Sequence, residues 1–150
     1  MVWRPCYHTH LSLPLGGDLV IYGGSCVRPT IEDADIYIGF DAGMQLLDRS
    51  TGWTSAQQVL YAIPDQRAPS NPETFRKLVE WTAEQLRAGK KVHAGCLGGH
   101  GRTGTFFAAL VAHMLPEVED PIAYVREHYC RQAVETEEQV EFLTKEFGMG

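Results

Sequence analysis

The sequence predicts an α/β domain, with a central and mostly parallel sheet of about four to five strands flanked by helices. Three observations carry that expectation. Short apolar or β-branched runs alternate with helical stretches along the chain. Lys91-Val92-His93-Ala94 reads as a buried strand that runs through a glycine-rich loop into an apolar helix. The length of 150 residues suits one core and falls short of two, so residues 1–150 are read as one domain.

The first dozen residues, with Pro5 among them and Pro14 just after, read as an irregular or edge-strand lead-in. Leu19-Val20-Ile21-Tyr22 predicts a strand, with Gly23-Gly24 as its turn. Asp35-Ile36-Tyr37-Ile38-Gly39-Phe40 predicts a second strand, closed by Asp41-Ala42-Gly43. Residues 45–55 mix polar and turn types and predict no one element. Gln58-Val59-Leu60-Tyr61-Ala62 predicts a third strand, stopped by Ile63-Pro64-Asp65. A helix follows. Asn71 caps it, Pro72 and Glu73 suit its first turn, and Phe75, Leu78, Val79, Thr82 and Leu86 share a face. Gly89 ends it. After the strand at 91–94 and the glycine loop, residues 103–115 predict a buried helix stopped by Pro116. Residues 120–131 and 135–147 predict two more helices.

Hydrophobic residues make up 44% of the chain and charged ones 21%, an ordinary globular balance. The net charge of −6 excludes an extended nucleic-acid surface, because a phosphate backbone needs a basic stripe. One small anion site is still allowed. No apolar run reaches the roughly 18 residues of a membrane span. The N-terminus lacks the basic and apolar regions of a signal peptide. The four cysteines, Cys6, Cys26, Cys96 and Cys130, form no CxxC pair, so free thiols in a reducing cytoplasm are expected.

The informative stretch is Cys96-Leu97-Gly98-Gly99-His100-Gly101-Arg102-Thr103-Gly104. It joins a strand to a helix, where open α/β sheets bind ligands. N–H groups at a helix N-terminus lack internal partners and point at what lies beyond. A loop around that end aims further N–H groups inward and makes an anion nest. Gly98, Gly99 and Gly101 allow positive φ and close approach. Arg102 closes the cradle with a planar fork matched to two phosphate or sulfate oxygens. Cys96 then lies at the floor of a positive bowl that favours its thiolate, the nucleophilic form. Leu97, Gly98, Gly99, His100 and Gly101 have few side-chain atoms between them because the backbone is the binding group. Asp65, in a loop after a predicted strand, is the candidate general acid. The Thr103 hydroxyl is placed to stabilise the sulfur as phosphate leaves. The scheme calls for no metal and no cofactor.

These residues resemble the signature loop of the cysteine-based protein tyrosine phosphatase superfamily: Cys, five residues, Arg, then Ser or Thr. Ile63-Pro64-Asp65 resembles the family's mobile general-acid loop. Val125-Arg126, Ala133-Val134 and Gln139-Val140-Glu141-Phe142-Leu143 resemble its C-terminal helices. The resemblance is closest to the small dual-specificity-like group, spans about residues 19–147, and rests on motifs alone before Val59. It implies a phosphatase with phosphotyrosine, and also phosphoserine or phosphothreonine, as substrate class. Phosphorylated proteins or small phosphate esters are then the expected partners, with phosphate, sulfate or vanadate as site ligands. One position departs from the pattern: family members carry His directly before the Cys, and here that position is Gly95, with His93 nearest.

Other readings stand beside these. Nucleotides, RNA 5′ ends or inositol phosphates are alternative substrates, although the loop lacks the lysines of lipid-directed relatives. A catalytically dead module that binds phosphorylated partners is another, and rhodanese-like sulfur transfer fits Thr103-Gly104 and Pro64-Asp65 less well. His100 is read as a solvent-exposed loop side chain, with recognition of a second negative group as the alternative. Gln139 is read as a helix-surface residue, with resemblance to a water-orienting residue of some relatives as the alternative. Cys26 and Cys130 are read as core residues, with one of them as a redox partner for Cys96 as the alternative. Cys6-x-His8-x-His10 places three metal-ligating side chains on one strand face but has no fourth ligand, so no metal site is expected.

Overall fold

The computed structural model describes residues 12–26, 29–42 and 57–149. The Cys6-x-His8-x-His10 pattern and the ambiguous stretch 45–55 lie outside them. In chain order the elements are β1 (Ser12–Pro14), β2 (Val20–Ser25), β3 (Ile36–Gly39), β4 (Gln57–Leu60), α1 (Pro72–Arg87), β5 (Val92–Cys96), α2 (Gly101–Met114), α3 (Pro121–His128) and α4 (Glu137–Phe147). The strands form one sheet in the order β1-β2-β5-β3-β4. Strands β2, β5, β3 and β4 run parallel, and β1 is antiparallel at the edge. This is the α/β architecture the sequence predicts.

The helices form where local chemistry favours them. Asn71 accepts from Glu73 N and Thr74 N at the start of α1, and Pro72 occupies the first turn. Phe75, Leu78, Val79, Thr82, Ala83 and Leu86 turn inward. Each large apolar side chain buried this way contributes about 1.5–3 kcal/mol. Helix α2 is buried from Gly101 through Val111 and forms the centre of the core. Around it, the Phe75 ring meets the edges of Phe106, Phe142 and Phe147 at 5.9, 5.5 and 6.1 Å. On β3, Ile36 and Ile38 join this core, while Tyr37 between them joins a smaller cluster with Cys26 and Ala34.

Three expectations change. Gly23-Gly24 lies inside β2 instead of turning the chain. Its glycines answer to packing: a Cβ at Gly23 would sit 2.8 Å from the rings of Phe107 and Tyr129. Helix α2 begins at Gly101, two residues before the expected Thr103, so the end of the glycine loop is already helical. Cys130 is disulfide-bonded, against the expectation of free thiols, while Cys26 and Cys96 are free. Cysteine spacing carries no pairing information for such a bond. Among the described residues no helix is long and apolar enough to cross a membrane.

Candidate active site

Strand β5 is central and buried along its whole length. Its register sets Cys96 beside Ser25 of β2 and Gly95 beside Gly39 of β3, so the carboxyl ends of three parallel strands meet at the thiol. Residues 97–100 then turn the chain into α2. Gly99 takes φ +79, the left-handed conformation that glycine adopts without strain. A Cβ there would lie 2.9 Å from Gly24 Cα. Gly101 serves close approach instead: its Cβ would meet Glu135 Oε1 at 2.5 Å. Gly98 has ordinary φ, so only one of the three expected glycines needs positive φ.

Cys96 is 3% exposed, at the bottom of this loop. Gly99 N donates to it at 3.3 Å and Thr103 Oγ1 donates at 3.1 Å. Both donors suit a charged sulfur. Thr103 Oγ1 also accepts from Cys96 N at 2.8 Å, which fixes the direction of its own proton. Thr103 therefore lies where the sequence put it, against the thiol.

Arg102 is 2% exposed. Its Nη1 donates to Ile63 O at 2.7 Å, Asp41 Oδ1 at 2.8 Å and Phe40 O at 3.3 Å. Its Nη2 faces Asp65 Oδ1 at 3.4 Å. Its Nε is the buried side-chain polar atom, among the described residues, that has no hydrogen-bond partner. One edge of the guanidinium is thus anchored in the fold. The other edge, Nε with Nη2, keeps the geometry that receives two oxygens of an oxyanion. A buried N–H without a partner costs about 1–3 kcal/mol, and a bound oxyanion would remove that cost.

The candidate acid Asp65 is exposed, with its carboxylate beside Arg102. The structure thus brings together Cys96, Arg102, Thr103 and Asp65 from 38 positions of chain separation at most, counted from Asp65 to Thr103. Leu97 stands at the rim, 54% exposed. His100 does not project into solvent as expected. It is 6% exposed, its Nδ1 lies 3.3 Å from Cys130 Sγ, and burial lowers its tendency to take a proton. The turn into α2 directs the ring inward against the 130s segment.

Several residues at the site carried no sequence signal that was used. Asp41 was read as the end of a strand, yet it holds Arg102. Tyr129 Oη donates to Gly99 O at 2.8 Å and pins the loop, and burial raises its phenol well above the ordinary range. Glu135 Oε1 accepts from Gly101 N at 3.0 Å, a carboxylate at the positive end of α2. It follows Val134, a β-branched residue at φ +59, held by Arg126 through Nε to Ala133 O at 2.9 Å and Nη2 to Val134 O at 2.8 Å. Gln139 is fully buried rather than on a helix surface. It closes a capping box with Thr136 and donates to Arg67 O at 3.2 Å.

The departure at Gly95 has a steric reason. A Cβ at this position would fall within contact distance of the Gly24 carbonyl and 2.9 Å from Cys26 N. Strand β2 lies too close for a side chain there. His93, two residues earlier, is 1% exposed and accepts from Thr30 N at 3.2 Å through Nε2. Burial alone pushes its pKa down to about 4, so it is a neutral structural acceptor at neutral pH.

The fold is an α/β domain with a buried thiol at the carboxyl ends of its parallel strands, beside the half-anchored Arg102. Residues 41–114 match the family described as "Polymorphic toxin system, DSP-PTPase phosphatase". Two uncharacterised proteins of Methanocaldococcus jannaschii are 50% and 45% identical over 71 residues, 47% of this chain. Those matches span 47% and 43% of the relatives' own lengths, less than half of each. Among solved structures, Tk-PTP in its active form superposes with a TM-score of 0.72 at 26% identity, covering 92% of this chain and 97% of that one. Human DUSP28 gives 0.70 at 11% identity, over 85% and 91%. Kinase associated phosphatase gives 0.69 at 14%, over 99% of each chain. The last two likenesses concern the fold alone. These likenesses support a small dual-specificity-like phosphatase of the cysteine-based protein tyrosine phosphatase superfamily.

Proposed function

We propose that this chain hydrolyses phosphate monoesters without a metal, through a phosphocysteine intermediate. The observation that carries the reading is the half-anchored Arg102, whose unpartnered Nε and neighbouring Nη2 lie in the same site as the Cys96 sulfur. In the first step Cys96 Sγ attacks phosphorus and the bond to the leaving oxygen breaks. The Asp65 carboxyl gives that oxygen its proton. Arg102 and the loop amides take the equatorial charge. In the second step water attacks phosphorus, the S–P bond breaks, and Asp65 takes the proton from water. The Thr103 hydroxyl donates to the departing sulfur, along the hydrogen bond it already makes.

Phosphotyrosine, with phosphoserine and phosphothreonine beside it, is the proposed substrate class. The exposed Leu97 at the rim supports an aromatic ester, since it offers apolar surface to a ring. A reducing cytoplasm keeps Cys96 in its reactive form, and the Cys130 disulfide fits that setting less well. The test is p-nitrophenyl phosphate turnover in EDTA for the parent chain and Cys96→Ser. Turnover in the parent that is lost in the variant is expected. Turnover that survives in Cys96→Ser overturns the mechanism. No turnover in the parent with orthovanadate still bound supports a phosphate-binding module instead.

A further inference from the structure

The reaction above needs Asp65 held over the cradle, yet the loop that carries it has little packing beneath it. Between residues 64–70 and the side of α4 lies a hollow of about 490 Å³, lined by Pro64, Arg67, Ser70, Glu138 and Phe142 among others. The loop crosses to α4 on hydrogen bonds. Thr136 Oγ1 donates to Gln66 O at 3.0 Å. Gln139 Nε2 donates to Arg67 O at 3.2 Å. Ala68 N donates to Glu138 Oε2 at 2.6 Å, and Arg67 Nε approaches the same oxygen at 3.4 Å. Three consecutive loop residues are therefore gripped by the first turn of a helix some 70 positions away. Gln66, directly after Asp65, is held at φ +63 between these ties.

Thr136 and Gln139 have second duties in the cap of α4. The Glu138 side chain has none: its partners are the Ala68 amide and the Arg67 side chain, and it is 47% exposed. We propose that Glu138 is a positioning residue for the general acid, a carboxylate latch that holds the 66–68 backbone and through it Asp65. The proposal rests on the phosphatase reading above for its chemistry, and on the Ala68 bond for its geometry. A carboxylate accepting from a backbone N–H makes a short, charge-assisted bond, stronger than a neutral pair. A carboxamide oxygen offers the same acceptor without the charge.

The latch predicts a leaving-group signature. With the acid in place the rate is insensitive to the leaving group, and without it poor leaving groups suffer. General-acid contributions run to about 10²–10⁴-fold. We expect Asp65→Asn to lose about 10²-fold on phenyl phosphate and far less on dinitrophenyl phosphate. Glu138→Ala should show the same pattern at about tenfold on phenyl phosphate, with vanadate affinity unchanged and Glu138→Gln largely restored. Amide hydrogen exchange at Ala68 should speed up in Glu138→Ala and stay slow in Glu138→Gln, whether or not the chain turns over. Unaltered Ala68 exchange in Glu138→Ala, or an equal loss on both esters, overturns the latch. If Asp65→Asn itself shows no leaving-group dependence, the assignment of the acid fails, while the exchange result still decides the latch.

Discussion

The loop at 97–100 is held mainly by close approach to the Gly24 backbone, with the Tyr129 and Glu135 side chains added at its end. Gly95 and Gly99 lie under the Gly24 backbone, Gly101 lies under Glu135, and Tyr129 ties down the Gly99 carbonyl. The loop at 61–71, which carries the candidate acid Asp65, is held by side chains that reach in from elsewhere: Arg102 to Ile63 O, Thr136 to Gln66 O, Gln139 to Arg67 O and Glu138 to Ala68 N. One loop is rigid through steric exclusion, the other through a small set of replaceable bonds. The first should fail abruptly when an atom is added at Gly99 or at Gly95 beneath it. The second should weaken by degrees.

The largest effects belong to the floor of the cradle. Arg102→Lys cannot anchor three acceptors and still present two donors, so kcat should fall at least about 10²-fold with the fold intact by circular dichroism. Retained activity would separate Arg102 from the transition state. Gly95→Ala forces a methyl onto the Gly24 carbonyl. It should lower stability by about 3 kcal/mol or more, read as a shift in the urea midpoint. A neutral result would mean that β2 yields, and that the phosphate loop is less rigid than its contacts imply.

Acid should act through His93. Its pKa is depressed from 6.5 to about 4 in the fold, so the folded form binds this proton less readily than the unfolded chain does. Its contribution is complete above pH 6.5 and is lost as pH falls toward 4, on the order of 3 kcal/mol in all. Urea titrations across that window should show a shallower loss for His93→Gln than for the parent. Parallel curves would exclude His93 as the source.

Asp41→Asn keeps the shape at Arg102 Nη1 and removes a charge. About a tenfold loss of activity is expected, larger in kcat than in KM. The smallest effect lies in the acid loop. Gln66 occupies the left-handed region at φ +63, so Gln66→Gly should cost nothing or stabilise by up to about 1 kcal/mol. A clear destabilisation would show that the Gln66 side chain, and not only its carbonyl, holds the loop.

The same contrast explains what the sequence disclosed. The turn from β5 into α2 was legible because Cys96, its glycines, Arg102 and Thr103 are contiguous, and each residue type has a local reason. Asp65 was singled out by its loop after a strand, and the structure sets it beside Arg102. Asp41 was not, because its bond to Arg102 spans 61 positions and its local setting reads as the end of a strand. His100 and Gln139 were misread as exposed because their burial depends on where residues 129–139 return to the loop. Gly23-Gly24 was misread as a turn for a related reason: its glycines serve the rings of α2 and Tyr129, which local sequence does not reveal.

The first measurement should look for the covalent intermediate. Acid quenching during turnover of a radiolabelled aryl phosphate in EDTA should leave label on the parent chain, in the peptide containing Cys96, and none on Cys96→Ser. Turnover without label on the parent, or label elsewhere in the chain, would contradict a phosphocysteine route.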